Sequence, residues 1–441
     1  MAEDYRAVAD AIAARIASGE LRPGERLPAQ RAFARAHRIA SSTAARVYGE
    51  LIRRGLAVGE VGRGTFVRAA GAPSDPPLAE PAAARVDLEL NFSVLPEQPA
   101  LLAPALDGML RPAALAAALG PLGVAGTPAA RDAAAGALSR GGWSPDPRHL
   151  LFAGSGRQAI AATIAALVPS GERLGVEALT YPIVKGVAAR LGITLVPLPM
   201  DEHGLDPDAV RAALPLRALY LQPALHNPLG VTMPEHRRLD LARLLRDHDL
   251  VAIEDAVYAF LRDDLAPLAA LAPERTVVVD SLSKRIAPGL SAGFIMPPGP
   301  PAPKIAAALR SAGWAASPFA LEAATRWMTQ GVTAVVEAAK RADAAERQRL
   351  AAEHLAGFDL LADPAAYHCW WRLPEPWRAD TFVAAAARRG IAVTPAAAFA
   401  TGPGHAPNAV RLALASPPLP VLSTALDALA TLAEEDDTGV E

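Results

Sequence analysis

A lysine amine at the end of an apolar, β-branched run, with serine hydroxyls beside it, suits a Schiff base with a phosphorylated aldehyde. Partial burial favours the neutral, nucleophilic amine, and the hydroxyls can donate to a phosphate. Lys284 has that setting, since Thr276-Val277-Val278-Val279 leads into Asp280-Ser281-Leu282-Ser283-Lys284. Only four of the 43 basic side chains are lysines, which draws attention to this one. Alone, a lysine at such a place is most often a surface residue, so the reading turns on what neighbouring strands carry.

Two other apolar stretches end in polar clusters. Leu219-Tyr220-Leu221 runs into Gln222-Pro223-Ala224-Leu225-His226-Asn227-Pro228-Leu229-Gly230, and Val251-Ala252-Ile253 into Glu254-Asp255-Ala256-Val257-Tyr258. A helix is expected between them over about 235–247. Strand, helix, strand at this spacing predicts parallel pairing with right-handed crossovers. Ligands of such sheets collect beyond the carboxyl ends of the strands, where Asn227, Asp255, Tyr258 and Lys284 all fall.

These residue types answer the needs of pyridoxal 5'-phosphate. Asp255 can hold the pyridine nitrogen protonated, Asn227 and Tyr258 can bond the ring hydroxyl and steer the imine, and Tyr181 can lie against the ring face. The phosphate needs backbone amides. Gly154-Ser155-Gly156-Arg157-Gln158 supplies them, as a glycine turn after Leu150-Leu151-Phe152-Ala153 that opens a helix over 158–167. Taken singly, such a turn usually just connects elements, a tyrosine packs and an aspartate caps a loop. The conjunction carries the reading.

With those residues in view, the chain from about 87 to 441 resembles a fold type I aminotransferase of the aspartate aminotransferase superfamily. The matching pieces are Gly154-Ser155-Gly156-Arg157-Gln158, Tyr181-Pro182, His226-Asn227-Pro228-Leu229-Gly230, Glu254-Asp255-Ala256-Val257-Tyr258 and Ser281-Leu282-Ser283-Lys284. The resemblance implies a large α/β domain with a mixed, mainly parallel sheet and a smaller C-terminal α+β subdomain. It implies a cofactor site of Gly154, Ser155, Gly156, Arg157, Tyr181, Asn227, Asp255, Tyr258, Ser281, Ser283, Lys284 and Arg285, with Lys284 the catalytic residue. Asn408-Ala409-Val410-Arg411-Leu412 resembles the segment whose arginine grips an amino acid's carboxylate, which makes Arg411 the effector-binding residue. Two positions depart from the pattern. Ser291 stands where relatives place a phosphate-binding arginine, leaving Arg157 or Arg285 to substitute, and Leu122 stands where they place a tyrosine.

The first 68 residues have a different character. They carry twelve arginines, no lysine and seven acids, a formal charge of +5 that leaves −8 for the remainder of a chain totalling −3. A small basic module on an acidic body suggests a polyanion partner for the first part. Tyr5, Val8, Ile12 and Ile16 keep a helical rhythm that Gly19 stops, and 21–27 reads as a turn. Pro28 is placed to open a second helix to about His37, and Ser41 or Ser42 to cap a third with Ala44, Val47, Tyr48 and Leu51 inward. Strands over 56–58 and 65–67, joined around Gly62-Arg63-Gly64, complete a mostly α winged helix-turn-helix.

This stretch resembles the GntR-type DNA-binding domain, through Leu21-Arg22-Pro23-Gly24-Glu25-Arg26-Leu27-Pro28, Arg31, Thr43, Gly55 and Gly62-Arg63-Gly64-Thr65-Phe66-Val67. The resemblance implies DNA contacts from Arg31, Ser41, Ser42, Thr43, Arg46, Arg63 and Gly64. Ser41 stands where relatives often have arginine. A GntR-type reader (1–68), a proline-containing linker (69–86) and an aminotransferase-like body (87–441) together resemble the MocR subfamily of bacterial regulators.

The remaining features agree. The lone Cys369 and the early charges Glu3, Asp4 and Arg6 point to a cytoplasmic chain without a signal peptide, and no apolar run is long enough to span a bilayer. The histidines lack metal-ligand spacing, so no metal is expected. The expected function is a homodimeric transcription regulator that binds operator DNA. It senses pyridoxal phosphate, an amino acid or amine effector, or both, by exchange of imine partners at Lys284. The rivals are a working aminotransferase carrying a DNA-binding arm, and a regulator whose body no longer binds the cofactor and serves dimerisation.

Overall fold

The computed structural model describes residues 5–18, 20–22, 24–53, 56–60, 64–67, 84–402 and 406–435. Most of the linker and Arg63 lie outside the described residues. Two compact units are formed, one of Met1–Leu90, Leu350–Leu361 and His368–Glu441, the other of Asn91–Arg349 and Ala362–Tyr367.

The second unit is built on a seven-stranded sheet among the described residues. Its spatial order is Leu151–Ala153, Gly293–Met296, Thr276–Ser281, Val251–Asp255, Ala218–Leu221, Arg173–Glu177 and Thr194–Leu198. Pairing is parallel from Thr276–Ser281 through Thr194–Leu198, with Ile253 opposite Val277 and Tyr220 opposite Ile253. Gly293–Met296 runs antiparallel to both of its neighbours, so Leu151–Ala153 points the same way as the parallel set. These strands lack alternation because both faces are covered, as near-continuous apolar runs require. Val277 and Val279 pack on one side with Ile160 and Ile164 of helix Gly156–Leu167. Val278 packs on the other with Phe294 and Trp327. Helix Glu235–Asp247 lies between Ala218–Leu221 and Val251–Asp255 in the chain, with the expected bounds.

In the first unit a five-stranded sheet has the order Asp359–Leu361, His368–Arg372, Ala409–Ala413, Ile391–Pro395 and Val86–Leu88. Trp371, Phe382, Leu412 and Leu426 fill its core. The N-terminal module has helices Tyr5–Ala17, Gln30–Ala36 and Ser41–Arg53, whose inner residues Ile12, Phe33, Ala44, Val47, Tyr48 and Leu51 form a small core of their own.

The module departs from the sequence expectation in two places. Residues 21–27 are not wholly a turn, because Arg26–Leu27 is a strand that pairs with Thr65 and Phe66 and makes a three-stranded sheet. The second helix begins at Gln30 rather than at Pro28, whose carbonyl is taken by the Tyr48 hydroxyl at 2.5 Å. This module groups with the C-terminal sheet through identifiable bonds. Arg378 Nη1 donates to Gly24 O at 2.7 Å, its guanidinium lies 4.1 Å from the Phe66 ring centre, and Ala406 N donates to Gly59 O at 3.1 Å.

Candidate functional site

Because the strands agree in direction, their carboxyl ends meet one edge of the sheet. The Gly154–Arg157 turn, Tyr181, Asn227, Asp255, Tyr258 and the Ser281–Lys284 segment all follow such ends. Asp255 is buried at the last position of its strand. Its Oδ2 accepts from the Tyr220 hydroxyl at 2.6 Å and from Gln222 Nε2 at 2.9 Å, and its Oδ1 from Val257 N at 3.2 Å. Burial pushes this carboxyl up to about 6, although the bonds from Tyr220, Val257 and Gln222 pull it down. At neutral pH Asp255 is therefore largely ionised, as an acceptor for a ring N–H has to be.

Gln222 ties the edge together. While its Nε2 serves Asp255, its Oε1 accepts from Asn227 N at 3.2 Å, and its own N donates to Glu177 at 3.0 Å. Glu177 in turn lies 3.2 Å from His226 Nε2. Tyr220 and Gln222 were not singled out in sequence, although a polar side chain at the end of an apolar strand was the available signal.

Lys284 is half-buried, and its Nζ donates to Asn91 O at 2.6 Å. The ammonium sits 3.4 Å from the Phe92 ring centre and 5.5 Å from that of Tyr258, a cation–π arrangement. Asn91 Nδ2 donates to the Tyr258 hydroxyl at 3.1 Å. Beneath Lys284 lies a second lysine that the sequence reading passed over. Lys340 is completely buried, and its Nζ donates to Ser93 O, Lys284 O and Ile286 O at 2.7–2.8 Å. Burial lowers it to about 7 while Asp343 and Glu337 pull the other way. Its position on the buried stripe Val336, Lys340, Ala344 was the signal that could have found it.

At the proposed phosphate end, the structure makes close backbone room. A Cβ on Gly156 would stand 2.9 Å from Ser281 Cβ, and one on Gly293 would stand 2.3 Å from Ser155 O. Both positions need glycine for the turn at 154–157 to approach the Ser281–Lys284 segment. Ser155 caps helix Gly156–Leu167 by accepting from Gln158 N. Ser281 caps the short turn beside it by accepting from Ser283 N at 3.1 Å, and it donates to the Ser283 hydroxyl at 3.0 Å. Ser291 Oγ, at the position where the resemblance puts an arginine in relatives, is buried with no hydrogen-bond partner among the described residues. Arg157 is exposed, with no ion-pair partner among the described residues. A cradle of glycine and serine, an unmatched hydroxyl and one available guanidinium fit a phosphate, so the set is compatible with pyridoxal phosphate.

Arg285, expected from sequence in that set, is instead engaged by two carboxylates. It is buried, with Nη2 2.7 Å from Asp280 Oδ2 and Nη1 2.6 Å from Glu337 Oε1. Both ends of the Arg285 guanidinium are taken by these two carboxylates.

Arg411 belongs to the other compact unit. It is buried on strand Ala409–Ala413, donating to Glu89 O and, at 3.1 Å, to Thr394 Oγ1, with its guanidinium 5.2 Å from the Phe399 ring centre. In the N-terminal module, Ser41, Ser42 and Arg46 are exposed and Thr43 half-buried on the third helix. Arg31 is exposed on the second helix, and Gly64 begins a strand. Arg46 lies 4.5 Å from the Tyr5 ring centre.

Known proteins share this architecture. The crystal structure of an archaeal alanine:glyoxylate aminotransferase superposes with a TM-score of 0.72 at 22% identity, covering 79% of this chain and 90% of that one. The large body therefore has the aminotransferase fold. A model of the family "Aminotransferase class I and II" matches residues 121–429, and one of "Bacterial regulatory proteins, gntR family" matches residues 4–67. The uncharacterized HTH-type transcriptional regulator YdeF of Bacillus subtilis is 31% identical over 420 residues, covering 94% of this chain and 90% of its own. The pyridoxine biosynthesis transcriptional regulator PdxR of Corynebacterium glutamicum is 32% identical over 170 residues, covering 37% of this chain and 36% of its own. The chain belongs to the class I and II aminotransferase family and, with its GntR-type module, to the MocR-type transcriptional regulators. It is a transcriptional regulator with an aminotransferase-like domain. No helix among the described residues is long and apolar enough to cross a membrane.

Asp255 is raised in the folded protein, so its burial is harmless below about pH 4 and increasingly destabilising as pH rises through about 6. Asp255→Asn, freed of carbonyl compounds, is expected to gain up to about 3 kcal/mol in urea unfolding at pH 7.5. That gain closes below pH 4, and a difference independent of pH contradicts it. Arg285→Ala strands Asp280 and Glu337 and is expected to cost about 3–5 kcal/mol. Unchanged stability with weakened cofactor uptake would restore Arg285 to the phosphate.

Proposed function

We propose that this regulator senses pyridoxal 5'-phosphate, an amino compound, or both, through Lys284. The observation that supports the reading is that Asp255, at the end of its strand, and Lys284, in the helical turn Leu282–Arg285 that follows the adjacent parallel strand, lie beyond the carboxyl ends of neighbouring strands. When bound, pyridoxal phosphate supplies an aldehyde within reach of a lysine amine and a pyridine ring able to accept electrons. Asp255 holds the proton on the ring nitrogen, Asn227 and Tyr258 bond the ring hydroxyl, and Tyr181 packs on the ring face. Gly154, Ser155, Gly156, Arg157, Ser281 and Ser283 hold the phosphate. An effector's carboxylate goes to Arg411, an assignment that rests on the sequence around 408–412. The similarity to PdxR, a pyridoxine biosynthesis transcriptional regulator, supports a vitamin-related signal.

A serine in place of the usual phosphate arginine favours a reversible sensor over a turnover enzyme. A regulator needs only different affinities in two states. DNA is read by Arg31, Ser41, Ser42, Thr43, Arg46, Arg63 and Gly64. A homodimer is supported by the exposed apolar side chains Leu101, Leu110, Leu119 and Phe319, and by the paired half-sites that such readers bind.

Gel shifts on the protein's own upstream region test this. Pyridoxal phosphate is expected to change the affinity of the parent and leave that of Lys284→Ala unchanged. Arg31→Ala is expected to weaken binding and to reduce the slope of log K against log salt by about one. A parent indifferent to the cofactor and to amino acids contradicts the sensor reading, and steady keto-acid production by the parent would replace it with the transaminase.

A further inference from the structure

Residues 89–93 belong to no helix or strand, yet four of their carbonyl oxygens are taken by side chains. In one compact unit, Arg411 Nη2 donates to Glu89 O and Ser416 Oγ to Leu90 O. In the other, Lys284 Nζ donates to Asn91 O at 2.6 Å and Lys340 Nζ to Ser93 O at 2.7 Å. The peptide bond between Leu90 and Asn91 joins the two sets. Three of the four donors are cations, which bond carbonyls more strongly than neutral groups do.

Two of these donors, Lys284 and Arg411, are the groups that the proposed function gives to cofactor and effector. The other two have no such assignment. Lys340 spends its three hydrogens on Ser93 O, Lys284 O and Ile286 O, so one buried ammonium ties the backbone of the Lys284 segment to the segment that covers it. Ser93 is held a second time, its hydroxyl donating to Asp343 Oδ2 at 3.3 Å. Phe92, between the two held carbonyls, lies against the Lys284 ammonium.

We propose that residues 89–93 form a strap that acts as an internal ligand for Arg411 and Lys284. Ser416 anchors it, Lys340 serves as the positioning residue, and sensing works by its displacement. The proposal rests on the sensor reading above. A carboxylate at Arg411 competes with Glu89 O. A carbonyl compound that condenses with the neutral Lys284 amine forms a C=N bond, and both amine hydrogens leave with the carbonyl oxygen as water. Asn91 O then loses its donor. The strap directly follows strand Val86–Leu88, which pairs with Ile391–Val393. Upstream of that strand the chain continues through the linker to the DNA-binding module, so a released strap is covalently continuous with the reader.

The test uses the full chain. Hydrogen–deuterium exchange is followed across residues 86–95 with and without pyridoxal phosphate, and borohydride reduction and peptide mapping are run on the same samples. Label at Lys284 accompanied by faster exchange across 86–95 is expected. Ser416→Ala, an exposed position, is expected to lower the cofactor concentration for half labelling about threefold, because one competing bond is removed. Lys340→Met is expected to speed exchange in the same peptide without ligand; should it fail to fold, Ser416→Ala carries the decision. Label at Lys284 with unchanged exchange across 86–95, or a Ser416→Ala curve superimposable on that of the parent, overturns the strap and leaves the sensor reading standing. Absence of label at Lys284 overturns both.

Discussion

Parallel pairing of Ile253 with Val277, and of Tyr220 with Ile253, is the constraint from which the rest of the body follows. Side chains alternate along a strand, so a slip of one residue would turn Asp255 or the Ser281 turn to the opposite face. Both faces are covered, so such a slip would exchange the side chains packed in the two layers and disrupt the fit of each. Held in this register, strands that share a direction bring their polar ends to one edge. The chemistry is then a matter of which side chains each strand carries at its last residues.

Desolvation governs the charges behind that edge. Arg285 is paired with Asp280 and Glu337, Arg140 with Glu254, and His226 lies beside Glu177, all in the interior. Buried ions of this kind have to be matched, and a matched guanidinium is not available for a second task. The end proposed for the phosphate is therefore furnished with glycines, hydroxyls and the exposed Arg157. Such a site grips through amides and hydroxyls more than through fixed charge. That is consistent with an occupant that comes and goes as its concentration changes, which is what the sensor reading asks of it.

Much of this was legible from residue order. Short apolar runs ending in polar clusters marked the sheet and its polar edge, and the helix between two of them kept its expected bounds of Glu235–Asp247. The inward face of the third N-terminal helix was read from spacing, and Ala44, Val47, Tyr48 and Leu51 are all buried. Other features left no trace in residue types. The Arg26–Leu27 strand is two residues long, too short for any alternation, and exists because Thr65 and Phe66 offer a partner. The pairing of Arg285 depends on two carboxylates distant or unmarked in sequence. The bonds to residues 89–93 use carbonyl oxygens, which every residue possesses, so residue types give no sign that two lysines, an arginine and a serine donate to them.

Sensing through Lys284 requires that this one amine react. Borohydride reduction of the protein after incubation with pyridoxal phosphate, followed by peptide mapping, reports where a carbonyl compound has condensed. The predicted result is a single phosphopyridoxyl-labelled peptide containing Lys284, absent from Lys284→Ala. Label on Lys185, Lys304 or Lys340 in its place, or no stable label at all, would contradict it.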